Sequence, residues 1–235
     1  MQAPLKHIVA GQTLWLSPSR ILYWEEEQAV IISDLHFGKT GHFRKSGIAI
    51  PQSAFRNDMQ RLFELIQHFQ PRKLVIVGDM FHSNANKELD FFLKWRNDHA
   101  QLEIILVKGN HDILKTDWYT QSGIQLTHPS LLINEFHFIH DLAIFQNPDI
   151  PVGSPPTIPV NQKIKPEHYF FTGHIHPGIL IRGLGKQSLR FPCFYFGEQY
   201  AVLPAFGNFT GFSLIEPSSH ENVFAIVENK IIQIQ

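Results

Sequence analysis

Residues 29–36 read Ala29-Val30-Ile31-Ile32-Ser33-Asp34-Leu35-His36. A short run rich in β-branched residues and closed by a serine predicts a strand buried on both faces, with Asp34 and His36 just beyond its carboxyl end. The pattern returns along the chain. Residues 74–78 (LVIVG) lead into Gly78-Asp79, residues 104–109 (IILVKG) into Gly109-Asn110-His111-Asp112, and residues 169–173 (YFFTG) into Gly173-His174-Ile175-His176. Between the first two runs, residues 52–69 place Phe55, Met59, Leu62, Phe63, Ile66 and Phe69 at spacings of three and four, an amphipathic helix bounded by Pro51. Residues 87–99 put Leu89, Phe92 and Leu93 on one face of a second helix. Strand, helix, strand, helix, strand is the order of an α/β sheet with crossover helices.

The second half reads differently. Residues 131–140, 169–174, 188–196, 201–206 and 223–234 are strand-like and follow one another without a long helix, which predicts a second, largely antiparallel sheet. Residues 147–166 carry six prolines and read as a long surface loop. The chain shows no repeat and no low-complexity tail, so residues 1–235 are read as a single domain, two sheets face to face with helices outside.

Composition narrows the function. Twenty Lys+Arg against 21 Asp+Glu give a net charge of −1, so no global basic field gathers nucleic acid or an anionic membrane. A lone Cys193 excludes internal disulfides and multi-cysteine zinc sites and fits a reducing compartment. No apolar run approaches the roughly 18 residues that span a bilayer, and the first ten residues lack a signal-peptide pattern, so the expected location is cytoplasmic, without a membrane partner. Histidine is abundant, 14 of 235 residues. That makes metal binding the first hypothesis.

In α/β sheets ligands bind outside the carboxyl ends of the strands. Five such ends, counting His140-Asp141, bring Asp34, His36, Asp79, Asn110, His140, His174 and His176 to one rim. Carboxylates, imidazoles and an amide without a thiolate suit Mn²⁺, Fe or Zn²⁺. Seven ligands are too many for one ion but fit two ions sharing a carboxylate, the clamp used for in-line displacement at phosphorus. Hydrolysis of a phosphate ester is the reading that chemistry alone favours.

The order Asp-x-His, Gly-Asp, Gly-Asn-His-Asp, His, Gly-His-x-His resembles the calcineurin-like metallophosphoesterase superfamily. Asp34-Leu35-His36-Phe37-Gly38-Lys39, Phe43-Arg44, Gly47-Ile48, Gly78-Asp79-Met80-Phe81-His82-Ser83, Pro192-Cys193-Phe194 and Leu203-Pro204-Ala205-Phe206-Gly207 are similar, more narrowly, to the bacterial DNA ligase-associated metallophosphoesterases. The resemblance implies a four-layer α/β/β/α sandwich of two mixed sheets and a dinuclear centre of divalent transition metals, manganese foremost, with iron or zinc as alternatives. It also implies phosphodiesterase or endonuclease activity tied to DNA repair, with DNA as substrate and a DNA ligase or other repair protein as partner. Carried over by residue, it puts Asp34, His36 and His176 on one ion and Asn110, His140 and His174 on the other, with Asp79 between. His111 is then left to protonate or stabilise the leaving oxygen, and Asp112 either orients His111 or caps the next helix.

Other residues keep two readings each. His140 is favoured over His137 because it closes its apolar run. Lys39, His42, Arg44 and Lys45 either grip phosphates flanking the cleaved bond or form a solvated loop. His82 either touches substrate or is a plain loop histidine. Arg182, Lys186 and Arg190 make a second basic patch, while Phe191, Phe194, Tyr195 and Phe196 read as core before base-stacking, and Cys193 as a buried hydrophobe. Two further functions compete with nucleic-acid cleavage: a phosphodiesterase or phosphatase for small nucleotides, and a scaffold for repair proteins.

Overall fold

The four apolar residues of β4 (Ala29–Ile32) are all buried, so this strand needs cover on both faces, and the fold supplies it. The computed structural model describes residues 3–39, 53–82, 87–143, 168–183, 187–208 and 210–235. β4 pairs in parallel with β5 (Lys73–Val77), β5 with β6 (Glu103–Val107), and β6 with β7 (Ile124–Thr127). An antiparallel meander of β1 (Leu5–Val9), β2 (Gln12–Ser17) and β3 (Ile21–Trp24) completes a seven-stranded sheet in the order β1-β2-β3-β4-β5-β6-β7. The crossovers are helical: α1 (Ser53–Phe69), α2 (Lys87–Asp98) and the short α3 (Thr116–Gln121). Phe55, Leu62, Leu65 and Ile66 of α1 and Phe92 and Trp95 of α2 pack with Val30, Ile32, Leu74, Ile76, Ile104 and Leu106. Alternate residues of the same strands therefore face the helices and the second sheet.

The second sheet has nine strands among the described residues. β8 (Ser130–Ile133), β9 (Phe136–Ile139), β10 (Tyr169–Thr172), β11 (Pro177–Arg182), β12 (Ser188–Phe196), β13 (Tyr200–Val202) and β14 (Ser213–Leu214) run in the order β14-β11-β12-β13-β10-β9-β8, and β15 (Asn222–Val227) joins β12 and β16 (Lys230–Gln233). Phe136, Phe138, Phe171, Phe194, Phe196 and Phe224 meet the aliphatic face of the first sheet. Trp24 and Phe136 lie 4.5 Å apart and Phe136 and Phe171 4.9 Å, spacings at which aromatic pairs attract beyond their burial. A third cluster, including Phe170, Cys193, Tyr195 and Tyr200, lies on the far face. Against that face the expected outer helical layer is represented, among the described residues, by Leu142 and Ala143 alone.

The second sheet is mixed, as the resemblance implies, and most of its pairings are antiparallel, as the run of strands predicts: β9 and β10 are parallel, as are β10 and β13, and β11 and β14, while the other pairings are antiparallel. Parallel neighbours need a connection of a dozen residues or more, and residues 140–168 supply one between β9 and β10. Residues 131–140 form a hairpin rather than one strand, turning at Asn134 (φ +49°), and residues 223–234 turn at Glu228 (φ +53°). Neither left-handed position is a glycine, so the usual punctuation is missing. The expected proline-rich loop, residues 147–166, lies outside the described residues. No helix of the described residues is long and apolar enough to cross a membrane.

Candidate metal centre

β4, β5 and β6 are parallel, so their carboxyl ends share one rim, and β9 and β10 end beside it. The two sheets are tied together there. Asp34 N–H donates to Gly78 O (3.1 Å), Gly173 N–H and Thr172 Oγ1 donate to His140 O (3.1 and 2.8 Å), and His174 N–H donates to Asp34 Oδ2 (3.1 Å). Backbone from four strand ends thus fixes the ligand loops before any side chain is considered.

Two groups of side chains converge, Asp34 with His36 and His176, and Asp79 with His140 and His174. In the first, His176 Nε2 lies 3.2 Å from Asp34 Oδ1 and 3.4 Å from His36 Nε2, with His36 Nε2 4.0 Å from Asp34 Oδ1. A cation bonded at about 2.0–2.2 Å holds neighbouring N and O ligands roughly 2.8–3.6 Å apart. Two edges of the triangle fit, and the third is a few tenths of an ångström long. In the second group His140 Nε2 lies 3.4 Å from Asp79 Oδ1 and 3.1 Å from Asn110 Oδ1. Asp79 stands between the groups, Oδ1 toward His140 and Oδ2 4.0 Å from His36 Nε2.

Tautomers make these contacts informative. His140 Nδ1–H donates to Val77 O (3.0 Å) and His176 Nδ1–H to Gly211 O (3.1 Å), so each Nε2 turns a lone pair toward carboxylate oxygens. Acceptor faces acceptor in both groups, and Asp34 Oδ1, fully buried, has no hydrogen-bond partner among the described residues. Such sites need a positive charge between them. Without metal, a proton serves. Burial works against charge on His140, yet Asp79 and Asp34 prevail and push its pKa up to about 10. His176 also rises, burial being outweighed by Asp34. Burial alone would raise Asp34 and Asp79, but His176 holds the first below the ordinary range and His140 the second. His36 goes the other way. Burial, reinforced by Lys39, brings it down to about 3 and keeps the ring neutral, as a metal ligand must be.

The backbone is bent to this task. Asp34, His36, Asp79, His174 and His176 all have φ between +51° and +65°. That conformation is uncommon for residues with a Cβ and concentrates at functional sites. The motif glycines make room for ligands from neighbouring strands. A Cβ on Gly78 would overlap the His140 ring, one on Gly109 the Asp79 carboxylate, and one on Gly173 the Ser33 hydroxyl and Asp34 Oδ2.

His111 stands at the mouth, its side chain 42% exposed, with Nε2 3.9 Å from Asp79 Oδ2 and its N–H bonded to Asp79 Oδ1 (2.8 Å). His82 is beside it, ring centroids 4.2 Å apart, and His36 is 5.5 Å from His111. Lys39 is half-buried near both carboxylates, which oppose a fall in its pKa caused by burial. Arg44 and the rest of residues 40–52 lie outside the described residues, as does Lys186. His137 is elsewhere, bonded through Nε2 to Ser130 Oγ (2.7 Å). Phe194, Tyr195, Phe196 and Cys193 are buried, and burial raises the Cys193 thiol to about 12.

Asp112 neither orients His111 nor caps a helix. Its Oδ1 accepts from Met80 and Phe81 N–H (3.0 Å each) and its Oδ2 from Gly109 N–H (2.9 Å), joining the loops after β5 and β6. Burial pushes its pKa up to about 6, which leaves it ionised at neutral pH. Sequence reasoning also missed Ser33, whose hydroxyl donates to Asp34 Oδ2 (2.5 Å), and Asp141, whose Oδ2 lies 3.6 Å from His174 Nε2. It missed Arg20 and Arg61 as well, which bond the carbonyls of Ala205, Phe206 and Gly207. A hydroxyl beside an aspartate was the sole available signal. The arginines act over more than 140 positions of sequence.

A family model described as calcineurin-like phosphoesterase matches residues 28–180. No curated protein matches the chain. Among solved structures, the Pseudomonas putida nuclease MPE aligns over 98% of this chain and 100% of its own, with 27% identity and a TM-score of 0.76. Yfce, a phosphoesterase from E. coli, is 15% identical over 88% of this chain and 97% of its own, with a TM-score of 0.43. The matched family span covers more than half of the chain and contains both converging groups, so the chain belongs to the calcineurin-like phosphoesterase family.

Proposed function

We propose that this protein hydrolyses phosphodiester bonds in nucleic acid at a centre of two divalent cations. Asp34, His36 and His176 would hold one, Asn110, His140 and His174 the other, and Asp79 both. The observation that carries the reading is the facing of acceptor on acceptor in two adjoining groups, His176 Nε2 3.2 Å from Asp34 Oδ1 and His140 Nε2 3.4 Å from Asp79 Oδ1. When bound, such a pair of cations supplies Lewis acidity toward the phosphate oxygens and lowers the pKa of the attacking water.

The chain's own groups do the remaining work. Val77 O and Gly211 O keep two imidazoles in the metal-binding tautomer. His111, exposed and tethered through its backbone to Asp79, delivers a proton to the leaving oxygen. His82, against the His111 ring, and Lys39 and Arg44 meet the phosphates. The all-N/O donor set suits manganese, with iron and zinc next. A nucleic-acid substrate is supported by the nuclease of Pseudomonas putida, aligned along nearly the whole chain, and by the motif resemblance to ligase-associated enzymes. The resemblance also makes a DNA ligase or another repair protein the partner to seek, in the cytoplasm, for residues 1–235 acting as one domain.

Elemental analysis of purified protein should find close to two transition-metal ions per chain. The manganese-loaded protein should cleave oligonucleotides and bis(4-nitrophenyl) phosphate faster than the matching monoester. One ion or none would end the dinuclear reading. Turnover of small diesters or cyclic nucleotides with no cleavage of DNA or RNA would replace nucleic acid by small nucleotides.

A further inference from the structure

β11 begins at Pro177, the residue after His176, so it leads directly away from the metal centre. β14 lies parallel beside it, with Ser213 opposite Pro177 and Leu214 opposite Gly178. Phe212 is pinned between two bonds to His176: the Gly211 carbonyl accepts from the His176 ring (3.1 Å), and Ser213 N–H donates to His176 O (2.9 Å). Its ring occupies the place that a side chain on residue 178 would fill.

Strand alternation puts residues 178, 180 and 182 on one face, and the antiparallel register sets Arg190 opposite Leu180 and Ser188 opposite Arg182. The other face, with Ile179 and Cys193, packs into the core. Phe212 therefore shares a face with Arg190 and Arg182. Phe212 is 39% exposed, and both arginines are exposed. At about 3.3 Å per residue, the Gly178 position lies roughly 7 Å from His176 along the strand, Arg190 about 13 Å and Arg182 about 20 Å. No residue of β11, β12 or β14 is acidic. In a chain of net charge −1, that is a local concentration of aromatic and cationic surface continuous with the metal centre.

We propose that this face is a flanking subsite for a single nucleic-acid strand, an unpaired base stacking on Phe212 while the following backbone phosphates meet Arg190 and Arg182. The proposal rests on the nucleic-acid reading above. Aromatic rings accept any unpaired base, whereas a duplex keeps its base faces covered, and guanidinium groups match phosphate oxygens in pairs.

The test uses the manganese-loaded full chain and compares Phe212→Ala, Phe212→Trp and Arg182→Ala/Arg190→Ala on single-stranded oligonucleotide, duplex and bis(4-nitrophenyl) phosphate. Phe212→Ala should raise KM for the single strand by about tenfold. Phe212→Trp should restore it, and the small diester, too short to span the face, should change less than twofold. The arginine pair should lower the slope of log affinity against log salt by about 1.4. An unchanged KM and salt slope on single strand would overturn the subsite, as would equal losses on the small diester, which would mean damage to His176. An effect confined to duplex would overturn it too. If the parent protein cleaves and binds no oligonucleotide while hydrolysing the small diester, the nucleic-acid reading falls and takes the subsite with it.

Discussion

Behind Asp34 stand two guanidinium groups, and behind Asp79 a carboxylate. Residues 205–207 run along the Asp34 loop, where Phe206 N–H donates to Ser33 O (2.8 Å) and Gly207 N–H to Asp34 O (3.1 Å). Arg20 and Arg61 hold the carbonyls of that segment, and Arg61 also pairs with Asp58 (3.1 Å) and covers the Phe206 ring at 4.0 Å. The Asp79 loop is held from the other polarity, by Asp112 accepting three backbone N–H bonds. A ligand loop with left-handed residues cannot pair its backbone in a regular ladder, so each leans on a neighbour: the Asp34 loop on residues 205–207, whose carbonyls the arginines hold, and the Asp79 loop on the Asp112 carboxylate. The first group depends on contacts between distant segments. The second depends on a residue three positions after Gly109.

Asp79 belongs to both groups, and its loss should erase the difference between them. Asp79→Asn removes the shared negative charge while keeping the acceptor for His111 N–H. We expect phosphodiester hydrolysis to fall on the order of 10³-fold, with a circular dichroism spectrum unchanged and less than two metal ions retained per chain. Turnover near the parent value would show that the two groups work independently.

The supporting charges should separate the groups again. Asp112→Ala strands three buried N–H donors, each worth about 1 kcal/mol or more, for a loss of about 3 kcal/mol in thermal or urea unfolding. Arg61→Ala should cost less, about 2 kcal/mol, because Arg20 still holds two of the three carbonyls and Asp58 keeps Asn208 as a partner (2.7 Å). Combined with His36→Ala or His140→Ala, metal counts should assign the ion weakened by Arg61→Ala to the Asp34 group and the ion weakened by Asp112→Ala to the Asp79 group. The same ion lost in both would break the comparison.

That comparison also explains what could be read in advance. The strand runs and the two long helices were legible because burial on both faces and a period of 3.6 leave a plain pattern, and the ligand types were legible because each follows such a run. The meander β1–β3 was not: β1 (LKHIV) and β2 (QTLWLS) mix polar residues into their apolar ones, and no ligand residue follows the apolar β3 (ILYW) to mark it. Nor were the hairpins at Asn134 and Glu228, which turn without glycine. Asp112 was misjudged because sequence adjacency to His111 is not contact: its carboxylate points back to the Asp79 loop. The arginine support for Asp34 depends on residues that meet only when the second sheet closes on the first.

Gly78 and Gly173 offer a matched pair. Gly78→Ala places a methyl group against His140 at a left-handed position (φ +79°), and Gly173→Ala places one against Ser33, Asp34 and the Val77 carbonyl. Overpacking of this kind costs about 1–3 kcal/mol. Gly78→Ala should cost more because strain adds to overlap, and it should weaken the His140 ion, whereas Gly173→Ala should weaken the Asp34 ion. Unfolding curves and metal content on the same samples check both.

The two groups also differ in the pH response of metal-free protein. His140 has its pKa raised to about 10, above the roughly 6.5 of an unfolded chain, so its contribution is fully present below about pH 6.5 and is lost as pH rises toward 10. His36, lowered to about 3, acts in the opposite window, since the unfolded chain takes up a proton that the folded one refuses and stability falls as pH drops from about 6.5 toward 3. Protein treated with chelator should therefore lose stability on both sides of about pH 6.5 through these two residues. His140→Gln should flatten the alkaline limb and His36→Gln the acid one, as read from Tm against pH. Metal should flatten the alkaline limb in the parent protein, because a cation on Nε2 replaces the proton that the Asp79 group otherwise needs. An alkaline limb that persists with both ions bound would mean that His140 keeps its proton and that the second ion sits elsewhere.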